Sequence, residues 1–317
     1  MVIDEVQKVP ALLDVVHQLM EGDRPLRFIL TGSSARKLRR GAANLLAGRL
    51  TEQHMHPFMA AELGDAFDLQ RSLEVGLVPL VWSALEPENT LRAYASLYLH
   101  EEVQAEALTR QIGAFARFLE AISLSHGGLL NLSEVARECQ VGRKTVESYL
   151  IILEDLLLCF RVPVFTRRAK RILVAHDKFF YFDAGVYRSI RPKGPLDQPE
   201  SIEGMALEGL VAQHLRAWAS YRKIPAELFY WRTKSGSEVD FVLYGADVFV
   251  AIEVKRSRTV HSSDLRALKA FKEDYPEAIV YLLYMGQEAL KISDVLCLPC
   301  DTFLKTLHPS HAIGDGL

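Results

Sequence analysis

The sequence predicts a multidomain α/β protein, and three patterns predict it. Residues 1–56 alternate strand-like and helix-like segments. Residues 111–194 run helix, helix, turn, helix, hairpin. From 195 to 305 the order is helix, three-strand meander, helix, strand. Composition agrees, since 49% hydrophobic and 24% charged residues are ordinary for a chain with a real core. A length of 317 residues suits two or three domains at roughly 100–200 residues each. The boundaries fall at 1–64, a helical connector at 65–110, 111–194 and 195–317.

In the first unit a strand at 1–4 precedes Pro10, which opens the helical spacing Leu12, Leu13, Val16, Leu19, Met20. Residues 27–31 read as a buried strand, and Gly32-Ser33-Ser34 after it suits a cap for the next helix. Residues 57–110 read as mostly helical, punctuated by Pro57, Pro79 and Pro87. In the next unit Phe115, Phe118, Leu119 and Ile122 mark a helix, and Asn131 caps a short one reaching Cys139. Val141-Gly142-Arg143 turns into a longer helix over 144–158. Strand-like runs at 161–165 and 171–174, with a basic turn between them, complete the order of a winged helix-turn-helix. The last unit has a helix over 202–219, strands at 227–233, 238–244 and 247–255, a helix at 263–274 and a strand at 278–283.

Two constellations carry chemistry. At the start, an apolar strand ends in the adjacent carboxylates Asp4 and Glu5. A nucleotide triphosphatase uses such a pair to hold Mg²⁺ with the first and polarise water with the second. Ser33, at the tip of the second strand, suits a sensor of the γ-phosphate better than Thr31 does, and Arg49 suits a cation supplied to phosphates. Near the end, Asp240 is followed by Glu253-Val254-Lys255. In a strand Glu253 and Lys255 share one side, and the hairpin returns them beside Asp240. These carboxylates, with Glu208 from the preceding helix, form a candidate site for a divalent cation, and Lys255 is placed to orient water or stabilise charge on a phosphate. Asp…Glu-x-Lys on a helix, meander, helix, strand frame looks like the PD-(D/E)XK core, a restriction-endonuclease-like α/β domain. Asp and Glu-x-Lys are common residues, so the plainer reading is an ion-paired strand, and Val239 stands where that motif has Pro. In the helix-turn-helix unit Arg143, Lys144 and Ser148 could meet phosphates, as could Arg167, Arg168, Lys170 and Arg171 at the wing; the alternative is a solvated basic turn.

Several segments together resemble a known family. They are residues 3–10 (Ile-Asp-Glu-Val-Gln-Lys-Val-Pro), 28–36, 46–50 (Leu-Ala-Gly-Arg-Leu), 179–186 and 230–233 through Lys255. In this order they are similar to prokaryotic AAA+ ATPases carrying a C-terminal domain of unknown function 4143, and the likeness covers essentially the whole chain. It implies an ATP-binding N-terminal domain that hydrolyses ATP, a winged helix-turn-helix and a nuclease-like end. The departure is that none of the 317 residues forms G-x-x-x-x-G-K-S/T, the loop that cradles phosphates. The chain therefore reads as an ATPase core from the Walker B strand onward, a partial P-loop ATPase α/β sheet lacking its N-terminal part. ATP is expected only in a form that has the loop, and Mg²⁺ is the metal either site would take. Without the central strand, the strand at 27–32 should pair directly with one near 49–56, or the first 60 residues should be poorly ordered.

A net charge of −3 gives no global drive toward nucleic acid, although local basic patches remain. DNA, a protein partner and self-association all stay open as partners. The longest charge-free apolar stretch, 75–85, is too short to span a bilayer. Four cysteines without a secretory signal read as reduced thiols in a cytoplasmic protein, and Cys297-x-x-Cys300 lacks the second pair that a zinc site needs.

Overall fold

A computed structural model describes residues 1–22, 26–32, 51–98, 112–174, 176–195 and 197–315. Val2–Ile3 (β1) lies parallel to Ile29–Leu30 (β2), with helix Ala11–Glu21 (α1) between them in sequence. Residues 51–56 carry no strand, so the expected pairing of 27–32 with a strand near 49–56 is not found among the described residues. Pairing falls instead to β1, whose backbone meets residues 27–31 directly. Helices Ala60–Leu63 (α2), Leu69–Val75 (α3), Pro79–Trp82 (α4) and Pro87–Ala93 (α5) follow. Pro79 and Pro87 stand at first helical positions, where the missing N–H costs nothing.

The middle unit holds Ile112–Ser123 (α6), Leu132–Cys139 (α7) and Arg143–Asp155 (α8). The Asn131 carboxamide accepts from the N–H groups of Ser133 and Glu134, capping α7 as its sequence suggests. The hairpin differs from expectation. Cys159–Val162 (β3) pairs antiparallel with Lys178–Tyr181 (β4), not with 171–174. The long connection between them wraps onto the last unit: Phe165 N–H donates to Tyr230 O (2.7 Å) and Val174 N–H to Arg232 O (3.1 Å). A polar, basic segment thus covers a sheet edge instead of forming a free wing, which removes an exposed row of backbone groups. The helix Ala184–Ile190 (α9) closes the unit.

Pro199–Tyr221 (α10) leads into a six-stranded mixed sheet. Its strands are Ala226–Arg232 (β5), Glu238–Gly245 (β6), Phe249–Lys255 (β7), Ile279–Tyr284 (β8), Leu290–Ile292 (β9) and Val295–Pro299 (β10), in the order β5-β6-β7-β8-β10-β9. Arg266–Asp274 (α11) crosses from β7 to β8, as a parallel pair requires, and Cys300–Thr306 (α12) follows β10. Phe241, Leu243, Ile252 and Val254 join Leu207 and Val211 of α10 in one core, which runs on through the middle unit. Trp231, Val242, Ala251, Val280 and Leu282 join Leu268 and Phe271 of α11 in the other. Phe165, from the wrapped segment, enters this second core and lies 1% exposed. The middle and last units are therefore packed as one body.

Candidate functional site

The carboxylates singled out from sequence lie where the meander opens. The β6–β7 ladder ends at Phe241↔Ile252. Just past it the Asp240 carboxylate accepts the Val254 N–H (2.9 Å). Alternation along β7 puts Ile252 and Val254 into the core under α10 and turns Glu253 and Lys255 the other way, where they pair at 2.7 Å. Burial, with the charge of Asp240 next, pushes the Glu253 carboxyl well above the usual carboxylate range. Its Oε2 is buried without a hydrogen-bond partner.

At the centre of the other carboxylates stands Lys178, which opens β4. Its Nζ lies 3.0 Å from Glu208 Oε1, 2.5 Å from Glu238 Oε1 and 3.3 Å from Asp240 Oδ1. The Tyr230 ring lies 5.6 Å away. The side chain is 2% exposed. Burial opposes its charge, but Glu208, Asp240 and Glu238 together hold its pKa well above the ordinary lysine value. Glu208 is pushed by burial up to about 8 in spite of Lys178. Arg232 takes the other oxygen of Glu238 at 2.8 Å. Four carboxylates thus face three cations, Lys178, Lys255 and Arg232.

The backbone of Lys178 is fixed on both sides. Val162 of β3 pairs it on one edge and Leu129 bridges it on the other. Gly127, with φ +71°, brings its loop over Glu208, and a Cβ there would stand 3.4 Å from Glu208 Oε2.

Whether the carboxylates fit a divalent ion follows from this geometry. A cation bonds oxygens at 2.0–2.6 Å. Shared by Glu208 and Asp240, it would stand within about 4 Å of the ammonium, where a double charge against a single one costs about 8 kcal/mol at an effective dielectric constant of 20. Among the described residues no group of three or more His, Cys, Asp or Glu side chains is placed to hold a metal ion. With Lys178 in place, Glu208 and Asp240 do not fit an ion shared between them.

At the other end of the chain, Asp4 Oδ1 accepts from the Thr31 hydroxyl and from the Glu5 N–H (3.1 Å). Glu5 has left-handed backbone (φ 52°), and its carboxylate lies 3.4 Å from Lys8. Thr31, ranked behind Ser33 on sequence, is the residue that touches Asp4; Ser33 and Arg49 lie outside the described residues.

Residues 1–64 match the AAA domain family, and residues 203–303 match a domain of unknown function, DUF4143. These matches support an AAA-like ATPase family with DUF4143. Between the AAA-like and DUF4143 segments, residues 66–197 match a further domain of unknown function, DUF8612. Similar chains include uncharacterized proteins of Mycobacterium bovis and Mycobacterium tuberculosis. Each is 27% identical over 315 residues, covering 96% of this chain and 69% of the relative. An uncharacterized protein of Haemophilus influenzae is 22% identical over 312 residues, covering 93% and 75%. The AAA match suggests nucleotide and Mg²⁺ use in general terms. No helix among the described residues is long and apolar enough to cross a membrane.

The residues expected to meet nucleic acid divide into two sets, one exposed and one tied down. Arg143 and Lys144 are exposed at the start of α8, Arg143 pairing with Glu147 at 3.1 Å, and Ser148 donates to the Lys144 carbonyl. Arg168 and Lys170 are exposed without an ion pair among the described residues. Arg167 is tied to Glu227 (2.6 Å) over the Tyr244 ring, and Arg171 to Asp274 (2.8 Å) and Glu273 (3.1 Å). Those two clamp the wrapped segment to the DUF4143 unit.

Sequence reasoning missed Lys178 and Glu238 as site residues. The available signal was a lysine opening the aromatic run Phe179-Phe180-Tyr181-Phe182, on the face shared with Phe180. It also missed Asp183, which is buried. One of its oxygens caps α9 through Gly185 N–H (2.9 Å) and Val186 N–H (3.0 Å), and the other takes Leu77 N–H (2.7 Å). Burial raises its pKa to about 6.

Proposed function

We propose that this chain serves a AAA-type ATPase as a nucleic-acid-binding part whose restriction-endonuclease-like domain does not cleave. One observation carries the reading: the carboxylates a nuclease would give to a metal are already ion-paired inside the chain, Glu208, Glu238 and Asp240 with Lys178 and Glu253 with Lys255. Binding falls to the helix-turn-helix unit, in which α7 and α8 are joined by three residues. There Arg143 and Lys144 at the start of α8, with Arg168 and Lys170, supply cations to phosphates. ATP turnover belongs to a form with a phosphate-cradling loop. Asp4 and Glu5 would hold Mg²⁺ and water there, with Ser33 and Arg49 in the roles given above.

The test has three arms. Incubation with plasmid and Mg²⁺ or Mn²⁺ should leave the DNA intact; cleavage lost in Asp240→Ala would refute the reading and favour a metal-dependent nuclease. The positions of Asp240 and Lys255 around Glu253 are what supports that second reading. A mobility shift should weaken with salt, and replacing Arg168 and Lys170 with Ala should lower the slope of log affinity against log salt by about 2. An unchanged slope would remove these residues from the interface. Titration with Mg-ATP should give no micromolar binding by the 317-residue chain.

A further inference from the structure

The disagreement between the carboxylate set and a metal has a specific structural origin. A PD-(D/E)XK-like frame brings acidic side chains together so that a hard cation can neutralise them. Here a counter-charge comes from outside the frame, from a residue of the preceding unit. Lys178 Nζ stands at 2.5, 3.0 and 3.3 Å from oxygens of Glu238, Glu208 and Asp240, inside the space those oxygens enclose. Its strand is held by β3 on one side and by Leu129 on the other, and the side chain is 2% exposed, so the ammonium is built in. Resting on the non-cleaving reading above, we infer that Lys178 is the resident cation of this site, standing where Glu208, Glu238 and Asp240 would otherwise hold a divalent ion.

The consequence is a latent metal site. With the lysine side chain removed, the three oxygens lie 2.5, 3.0 and 3.3 Å from one point, too widely set to hold an ion as they stand. Inward shifts of about 1 Å or less bring them to the 2.0–2.6 Å that hard divalent ions require. Three carboxylates without an ammonium would also be strongly attractive to such an ion. Glu253 lies outside this trio, paired with Lys255.

Manganese is the probe, because its binding can be followed by electron paramagnetic resonance and calorimetry without reference to DNA cleavage. The wild-type chain should bind no Mn²⁺ at this site. Lys178→Ala should bind one Mn²⁺ per chain at least 100-fold more tightly than wild type, and Lys178→Ala with Asp240→Asn should lose it. Lys178→Arg, which keeps a cation there, should behave like wild type. If Lys178→Ala is too unstable alone, Mn²⁺ should raise its thermal midpoint while leaving the wild-type midpoint unchanged. Two results overturn the inference: a wild-type Mn²⁺ site abolished by Asp240→Asn, or a folded Lys178→Ala with no added affinity. The second leaves the non-cleaving reading standing, whereas plasmid cleavage by wild type would remove that reading first.

Discussion

Replacing Lys178 with Met tests the electrostatic account of the site directly. Methionine keeps much of the length and the apolar stem, so the change is mainly the loss of an ammonium. Among the described residues nothing else sits within hydrogen-bond reach of all three of Glu208, Glu238 and Asp240; Arg232 reaches only Glu238. Removing one partner from a buried ion pair costs about 3–5 kcal/mol, because the remaining charge is left buried. Here the loss should lie at the upper end at pH 8 and shrink toward pH 5, where the orphaned carboxylates take up protons instead. The sign follows from linkage. With Lys178 gone, these carboxyls should be raised in the folded state, so stability is present at low pH and lost as pH rises through the raised values. Urea unfolding followed by the fluorescence of the buried Trp218 and Trp231 measures it. In a double-mutant cycle, Asp240→Asn should couple to Lys178→Met by more than about 1 kcal/mol. A Lys178→Met chain within about 1 kcal/mol of wild type at pH 8, or one destabilised equally at pH 5, would refute the reasoning.

Other expectations concern how the units are joined. Asp183→Ala should destabilise by about 2–4 kcal/mol, since it removes the α9 cap and leaves the buried Leu77 N–H without a partner; urea unfolding reads the loss. Gly185→Ala should cost about 1–3 kcal/mol or abolish soluble expression, because a Cβ there would lie 2.3 Å from Val75 C, a backbone atom with no rotamer to give way. The stability against pH should change slope in His214→Gln. Burial holds this imidazole down at about 4 while its Nε2 accepts the Ala60 N–H, so its contribution is present above pH 6.5 and is lost as pH falls through 6.5 toward 4. Unfolding at pH 5 and pH 6 should show the variant losing about 1.4 kcal/mol less per pH unit than wild type.

The last unit was legible because its chemistry is periodic. Glu238-Val239-Asp240-Phe241 and Ile252-Glu253-Val254-Lys255 alternate as strands must, and the structure places β6 and β7 within a few residues of the sequence reading. Cys297 and Cys300 are buried free thiols, one in β10 and the other opening α12. The short strands β9 and β10 have no counterpart among the strands read from the sequence. The wing was misread for a physical reason. Residues 171–174 carry a strand-like composition, but composition does not name a strand's partner, and pairing across sixty residues to Thr233 competes with the local hairpin. Lys178 was illegible for a related reason. A lysine at the head of an aromatic run reads as the solvent end of a strand, because lysine is almost never buried unless paired. Its three partners lie 30 to 62 residues away and belong to another unit.

That dependence between units bears on what the middle segment is for. A sheet whose edge strand is β5 would present unpaired backbone groups, and the wrapped segment satisfies them at Tyr230, Arg232 and Lys234. The same connection carries Phe165 into the core against α11, and its end delivers Lys178 to the carboxylates. Edge, core and charge of the DUF4143 unit are thus completed by residues that precede it. A buried lysine is costly to desolvate, and that cost is offset only when all its oxygens are in place. It follows that the ammonium acts as a check on assembly: the middle and last units reach low energy together, and a misdocked arrangement leaves both a buried cation and a trio of carboxylates uncompensated. The acidic constellation singled out in the sequence lies, in the folded chain, where the middle and last units meet.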